Sequence, residues 1–137
     1  MIDAETEIFS EISTVLRETY SSIFVTGEYV SSPSSFPCVS IVEEDNQVWK
    51  NTRDSSNDEV HVQVIYEVNV YSNKTSGKKS QCKEILALID SEMQDMGFTR
   101  TSSGPVANED DTSIYRMNAR YRALIGISDG DFMIYRR

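Results

Sequence analysis

The sequence is poor in the residues that build reactive sites: 137 residues include 1 histidine, 2 cysteines, 1 tryptophan, 3 prolines and 6 glycines. A nucleophile must be held beside a base, and with His61 as the sole histidine no Ser-His-Asp or Cys-His pair can be built without it. His61 falls in an alternating stretch, where a partly exposed strand position is the expectation. Cys38 and Cys82 show no CxxC spacing and are expected to be reduced, semi-buried residues rather than a disulfide. No apolar run approaches the roughly 20 residues that span a bilayer. The opening MIDAETEIFSE is acidic where a secretory signal is basic and then apolar, so secretion is not expected. Glycine-rich phosphate loops are missing. The acidic clusters Glu43-Glu44-Asp45 and Glu109-Asp110-Asp111 lack the alternating ligands and central glycine of a calcium loop, which leaves solvated turn charges. No enzyme, metal site or cofactor site is expected.

What is present points to one ordinary globular domain over residues 1–137. Hydrophobic residues make up 39% and charged residues 26%, enough apolar material for one core and too much for wholesale disorder. Formal charge is −9, unevenly spread: residues 1–99 hold 17 acids and 7 bases, whereas residues 100–137 hold 5 acids and 6 arginines. An acidic surface repels phosphate backbones, so general nucleic-acid binding is disfavoured.

Apolar residues at Ile2, Ile8, Phe9, Ile12, Val15, Leu16 and Tyr20 recur near every 3.6 residues and predict an amphipathic helix over 3–20, capped by Asp3. A short strand at 23–26 follows, then a Ser/Pro-rich stretch over 31–37 and a strand over 38–43. Residues 44–58 are polar and rich in turn formers, and predict a long mobile loop; a strand reaching Val48 and Trp49 would shorten it. The clearest strand is 60–72, where Val60, Val62, Val64, Tyr66, Val68 and Val70 alternate with polar residues. Cys82, Ile85, Leu86, Ile89, Met93 and Met96 predict a helix over 78–96 that Gly97 ends. Strands over 98–101, 112–125 and 132–135 complete an α-β-β-β-α-β-β-β order. The expected fold class is α+β, a mostly antiparallel sheet with two helices packed on it.

Two features are candidates for contact with other molecules. Arg116, Arg120 and Arg122 share one face of the 112–125 strand and form either a partner-facing basic stripe or cross-strand pairs with acids such as Glu67. The second is the Trp49 loop with Lys50 and Arg53, since aromatic residues dominate interface hot spots; the competing expectation for Trp49 is burial in its own domain's core.

The block EVNVYSNKTSGKKSQCKEILALID, then GFTRTSSGPVANEDDTSIYRMNARYRALIG, resembles the tail-terminator (tail-completion, head–tail joining) proteins of long-tailed bacteriophages and prophages; IFVTGEYVSSPSSFPCVSIVEEDN extends the resemblance over nearly the whole chain. It implies a structural virion protein that forms a ring, typically hexameric. Such a ring stops tail-tube polymerisation and joins the tail to the head connector. Implied partners are further copies of itself, the tail-tube protein and the head connector or stopper protein. Genome DNA would pass through without specific binding, and no membrane or cofactor is involved. The implied location is the head–tail junction of the virion, after assembly in the host cytoplasm. The family carries no catalytic motif to transfer. Competing expectations are a head-completion or connector component of the same junction and, from another class, an acidic DNA-mimic regulatory protein.

Overall fold

The computed structural model describes residues 1–49, 61–108, 111–128 and 130–135. The chain runs α1 (Glu5–Thr19), β1 (Phe24–Thr26), β2 (Cys38–Val48), β3 (His61–Ser72), α2 (Lys78–Met96), β4 (Thr99–Val106), β5 (Tyr115–Ser128) and β6 (Asp131–Tyr135). Order and class agree with the sequence expectation: the fold is α+β. One sheet runs β1-β2-β3-β5-β4, with β6 also on β5. β1 and β2 pair in parallel and every other pairing is antiparallel. β5 is long enough that two strands share one of its edges: β4 covers residues 116–122 and β6 covers 124–128.

Period-two alternation separates the two sheet faces. Val62, Val64, Tyr66, Val68 and Val70 of β3 are buried on the same face as Met117, Ala119, Tyr121, Ala123 and Ile125 of β5. Both helices cover that face, α1 through Ile8, Ile12 and Leu16, and α2 through Cys82, Ile85, Leu86, Ile89 and Met93. Burying each large aliphatic side chain contributes about 1.5–3 kcal/mol, so this layer contact dominates stability. Phe98 packs edge-on against Tyr66, ring centroids 5.5 Å apart at 83°. Tyr121 reaches out of the core to donate to Asp90 Oδ1 (2.8 Å), which also pairs with Arg100 (3.2 Å). The helices run antiparallel, Glu11 meeting Glu92 near one end and Tyr20 approaching Glu84 towards the other.

Helix ends follow local chemistry. The Glu5 N–H donates to Asp3 Oδ1 (3.1 Å), so Asp3 supports the first turn of α1 although Ala4 occupies the cap position. Gly97 ends α2 at φ +110°, its N–H directed at the Met93 and Gln94 carbonyls. Helix α2 has no acid in its first turn and no base in its last. Lys78, Lys79 and Lys83 stand near its positive end and Asp90, Glu92 and Asp95 near its negative end, the reverse of what the macrodipole favours.

Two expectations are corrected. Of the loop expected over 44–58, residues 44–48 instead form the end of β2, the alternative in which the strand runs on to Val48, and residues 50–58 lie outside the described residues. Its polar residues on the helix-covered face find partners there. Asn46 Nδ2 donates to Ile2 O and Glu43 Oε1 (both 2.9 Å), and the Glu43 N–H donates to Glu5 Oε2 (3.1 Å). The strand expected at 98–101 runs to Val106 as edge strand β4, where Pro105 is tolerated because an edge leaves one side of the ladder unpaired. The cysteines are free and fully buried, and burial pushes both thiols up to about 11. No helix among the described residues is long and apolar enough to cross a membrane.

Candidate protein-interaction surface

The sheet face turned away from the helices is partly roofed. Ser40 Oγ donates to Glu28 O (2.8 Å) and Tyr71 OH to Val30 O (2.7 Å), which ties the chain between β1 and β2 to β2 and β3. Arg116, Asn118, Arg120 and Arg122 of β5 lie on this outer face, because their positions alternate with the buried Met117, Ala119, Tyr121 and Ala123. At about 3.4 Å per residue the arginine row spans roughly 20 Å.

Each arginine has a different environment. Arg116 Nε donates to Asn69 Oδ1 (3.0 Å), and its guanidinium carbon sits 5.4 Å from the centre of the Tyr71 ring. Asn118 Nδ2 donates to Asn69 Oδ1 (3.1 Å) and Glu67 Oε1 (2.7 Å), which locks the middle of the face. In register Glu67 stands opposite Arg120, yet Arg120 pairs with Glu44 instead. A bulge explains the choice. The β2–β3 register shifts between Glu43 and Asp45, and the extra residue Glu44 swings towards β5. Arg122 is exposed and has no ion-pair partner among the described residues. Together with Arg120, Gln63, Ile65, Thr101 and Ser102 it borders a shallow depression of about 350 Å³. Tyr29, 60% exposed, lies beside Glu67; burial of its hydroxyl, then the Glu67 charge and hydrogen bond, push its pKa up.

The structure therefore brings Arg116, Arg120 and Arg122 onto one face, with an ion pair at Arg120 and none at Arg122 among the described residues. Trp49 is held by the sheet: half-buried at the end of β2, its N–H donates to His61 O (2.9 Å). His61 is in register with Gly126, beyond the Arg122 end of the row. Lys50 and Arg53, the other residues expected at this loop, lie outside the described residues. Alternation puts Asn69 and Asn118 on the polar strand faces, as the structure has them, but sequence reasoning missed Glu44 and Tyr71 as members of this surface. Tyr71 on β3 was accessible from alternation, whereas Glu44 depends on a bulge with no local sequence signal.

Among the described residues, no group of three or more His, Cys, Asp or Glu side chains is arranged to hold a metal ion. What the arrangement offers is a polar sheet face whose central side chains are held by hydrogen bonds to one another. No protein-family model and no curated protein matches the chain.

Proposed function

We propose that this chain is a non-enzymatic assembly protein of the bacteriophage tail-terminator type, a ring subunit that caps the tail tube and joins it to the head connector. The observation that carries the reading is the outer sheet face. Hydrogen bonds among Glu67, Asn69, Asn118 and Arg116 hold its side chains in place, while Arg122 presents an exposed guanidinium. A pre-ordered polar face lowers the side-chain entropy lost on docking, and arginine is favoured at such contacts. The net charge of −9 supports the same role, because DNA passing a ring of acidic subunits is not retained. The resemblance of the 67–126 region to tail-completion proteins supplies the identity of the partners: further copies, tail-tube protein and a head-connector protein.

The test is electron microscopy of particles from a phage or prophage lacking this gene, complemented with wild type or with Arg122→Glu. Overlong tails detached from full heads are expected in the deletion and, if the arginine face is the docking surface, in Arg122→Glu. Normal-length free tails beside leaking heads would assign the protein to head completion instead. Intact particles in the deletion would remove it from the junction.

A further inference from the structure

At the opposite surface from the arginine row, α1, α2 and β6 enclose a groove of about 570 Å³. Glu7, Glu11, Glu92, Asp95 and Asp131 line it, with no basic residue among the lining side chains. Its floor is apolar, formed in part by Phe132 and Ile134, and continues outward to Ile127, paired with Phe132 and 54% exposed. Among the described residues nothing neutralises the rim. The Glu11 and Glu92 carboxyl groups lie side by side, and Glu92 is held above the usual carboxylate range by burial, by the hydrogen bond its protonated form can share with Glu11 and by repulsion from Glu11, Asp95 and Glu18.

The other end of the same helix carries the opposite charge. Lys74, Lys79 and Lys83 are exposed and have no ion-pair partner among the described residues, and beside them Lys78 donates to Thr112 O and Ser113 O at 3.5 and 3.3 Å. The 19 residues of α2 make it about 28 Å long, and Lys79 and Asp95 stand about 24 Å apart along it. Side chains and macrodipole point the same way, so α2 sacrifices favourable end charges and the domain gains a larger dipole along the helix. A lysine places an aliphatic stem on apolar surface and its ammonium at the polar edge, which matches a groove with an apolar floor and a carboxylate rim.

We propose that copies of this chain associate head to tail, the lysine end of α2 in one copy seated in the acidic groove of the next. Donor and acceptor surfaces are different patches on one molecule, which makes the contact heterologous and able to close into a ring. The inference deepens the ring reading and rests on it only for closure; the contact itself stands on the charge layout.

Sedimentation velocity of the purified full chain tests it, at about 50 mM and about 500 mM salt, on either side of the range where surface charges become screened. Wild type is expected to self-associate at low salt and dissociate at high salt. Lys79→Glu/Lys83→Glu and, separately, Glu7→Lys/Glu92→Lys should each weaken association by about tenfold or more, and mixing the two variants should restore it. The lysine variant also guards against misfolding as the cause, since its new charges favour the α2 dipole and it should melt no lower than wild type. A wild-type monomer at both salt concentrations overturns the contact, as does association indifferent to both reversals. Capture of a basic peptide by a strictly monomeric chain would reassign the groove to a different partner. If both reversals leave tails of normal length in infected cells, this contact fails while the terminator reading survives. Intact particles from the deletion, beside salt-sensitive association of the purified chain, would instead defeat the terminator reading and leave the contact standing.

Discussion

Alanine at Gly97 and alanine at Gly77 impose the same kind of backbone strain in very different surroundings. Both glycines have positive φ, +110° and +86°, a region where a Cβ costs about 1–2 kcal/mol. A Cβ on Gly77 would meet nothing within 4 Å. On Gly97 it would lie 3.1 Å from Ile134 O and 3.2 Å from Ile134 Cγ2, so part of β6 backbone has to move. Crowding of that kind adds about 1–2 kcal/mol. Gly77→Ala should therefore lose about 1–2 kcal/mol and Gly97→Ala about 2–4 kcal/mol. Thermal midpoints should fall by about 3–4 °C per kcal/mol for a chain of this length. Urea titration followed by circular dichroism measures both losses, and an unchanged m-value confirms that stability alone has moved. Equal losses at the two sites would show that β6 yields freely. A Gly97→Ala variant within about 0.5 kcal/mol of wild type would refute the strain argument as well.

Glu92→Gln should stabilise the chain at neutral pH by roughly 0.3 kcal/mol, a small figure because the site is solvent-screened. The sign follows from the raised folded pKa: the Glu92 contribution is most favourable below the ordinary value of 4.5 and is lost as pH rises through the higher folded value. Stability measured from about pH 4 to 7 should thus decline less in the glutamine variant, and parallel curves would refute the coupling. A double-mutant cycle on Arg120→Ala and Glu44→Ala should give under about 1 kcal/mol, since the side chains are 43% and 31% exposed. A larger coupling would mark the pair as part of a tighter network. Cys38 and Cys82, buried with pKa values pushed up to about 11, should resist a thiol reagent at about pH 8 and react together on unfolding. Labelling of one native thiol at a free-thiol rate would show that its shell opens locally.

Legibility in the sequence followed the strength of the hydrophobic signal. β3 and β5 alternate apolar and polar residues over most of their length, so strand, buried face and arginine row could all be placed from spacing. Helix α2 was bounded correctly because its apolar stripe ends against a glycine. β2 was cut short at Glu43 because Glu43 and Asn46 occupy the helix-covered face as polar groups, and their partners Ile2 and Glu5 come from the start of the chain. Periodicity cannot show a tertiary hydrogen bond. Beyond Thr101, β4 has the composition of a loop and continues as a strand because β5 offers it an edge. The lysine and carboxylate poles of α2 were visible as letters, but the acidic groove needs α1 antiparallel to α2 and β6 beside them, which spacing alone does not supply.

The placement of β6 has a consequence for how the molecule breathes. β3 is a 12-residue strand bonded on both sides, by β2 and by β5, whereas β6 has five residues and hangs on β5 alone. Free energies of local opening should therefore be higher along β3 than along β6, a difference that amide hydrogen exchange resolves strand by strand. Phe132 and Ile134 sit in this short strand, so the groove floor should be ordered at little cost and lost at little cost. Any molecule that fills the groove would slow exchange of the β6 amides well before it altered those of β3.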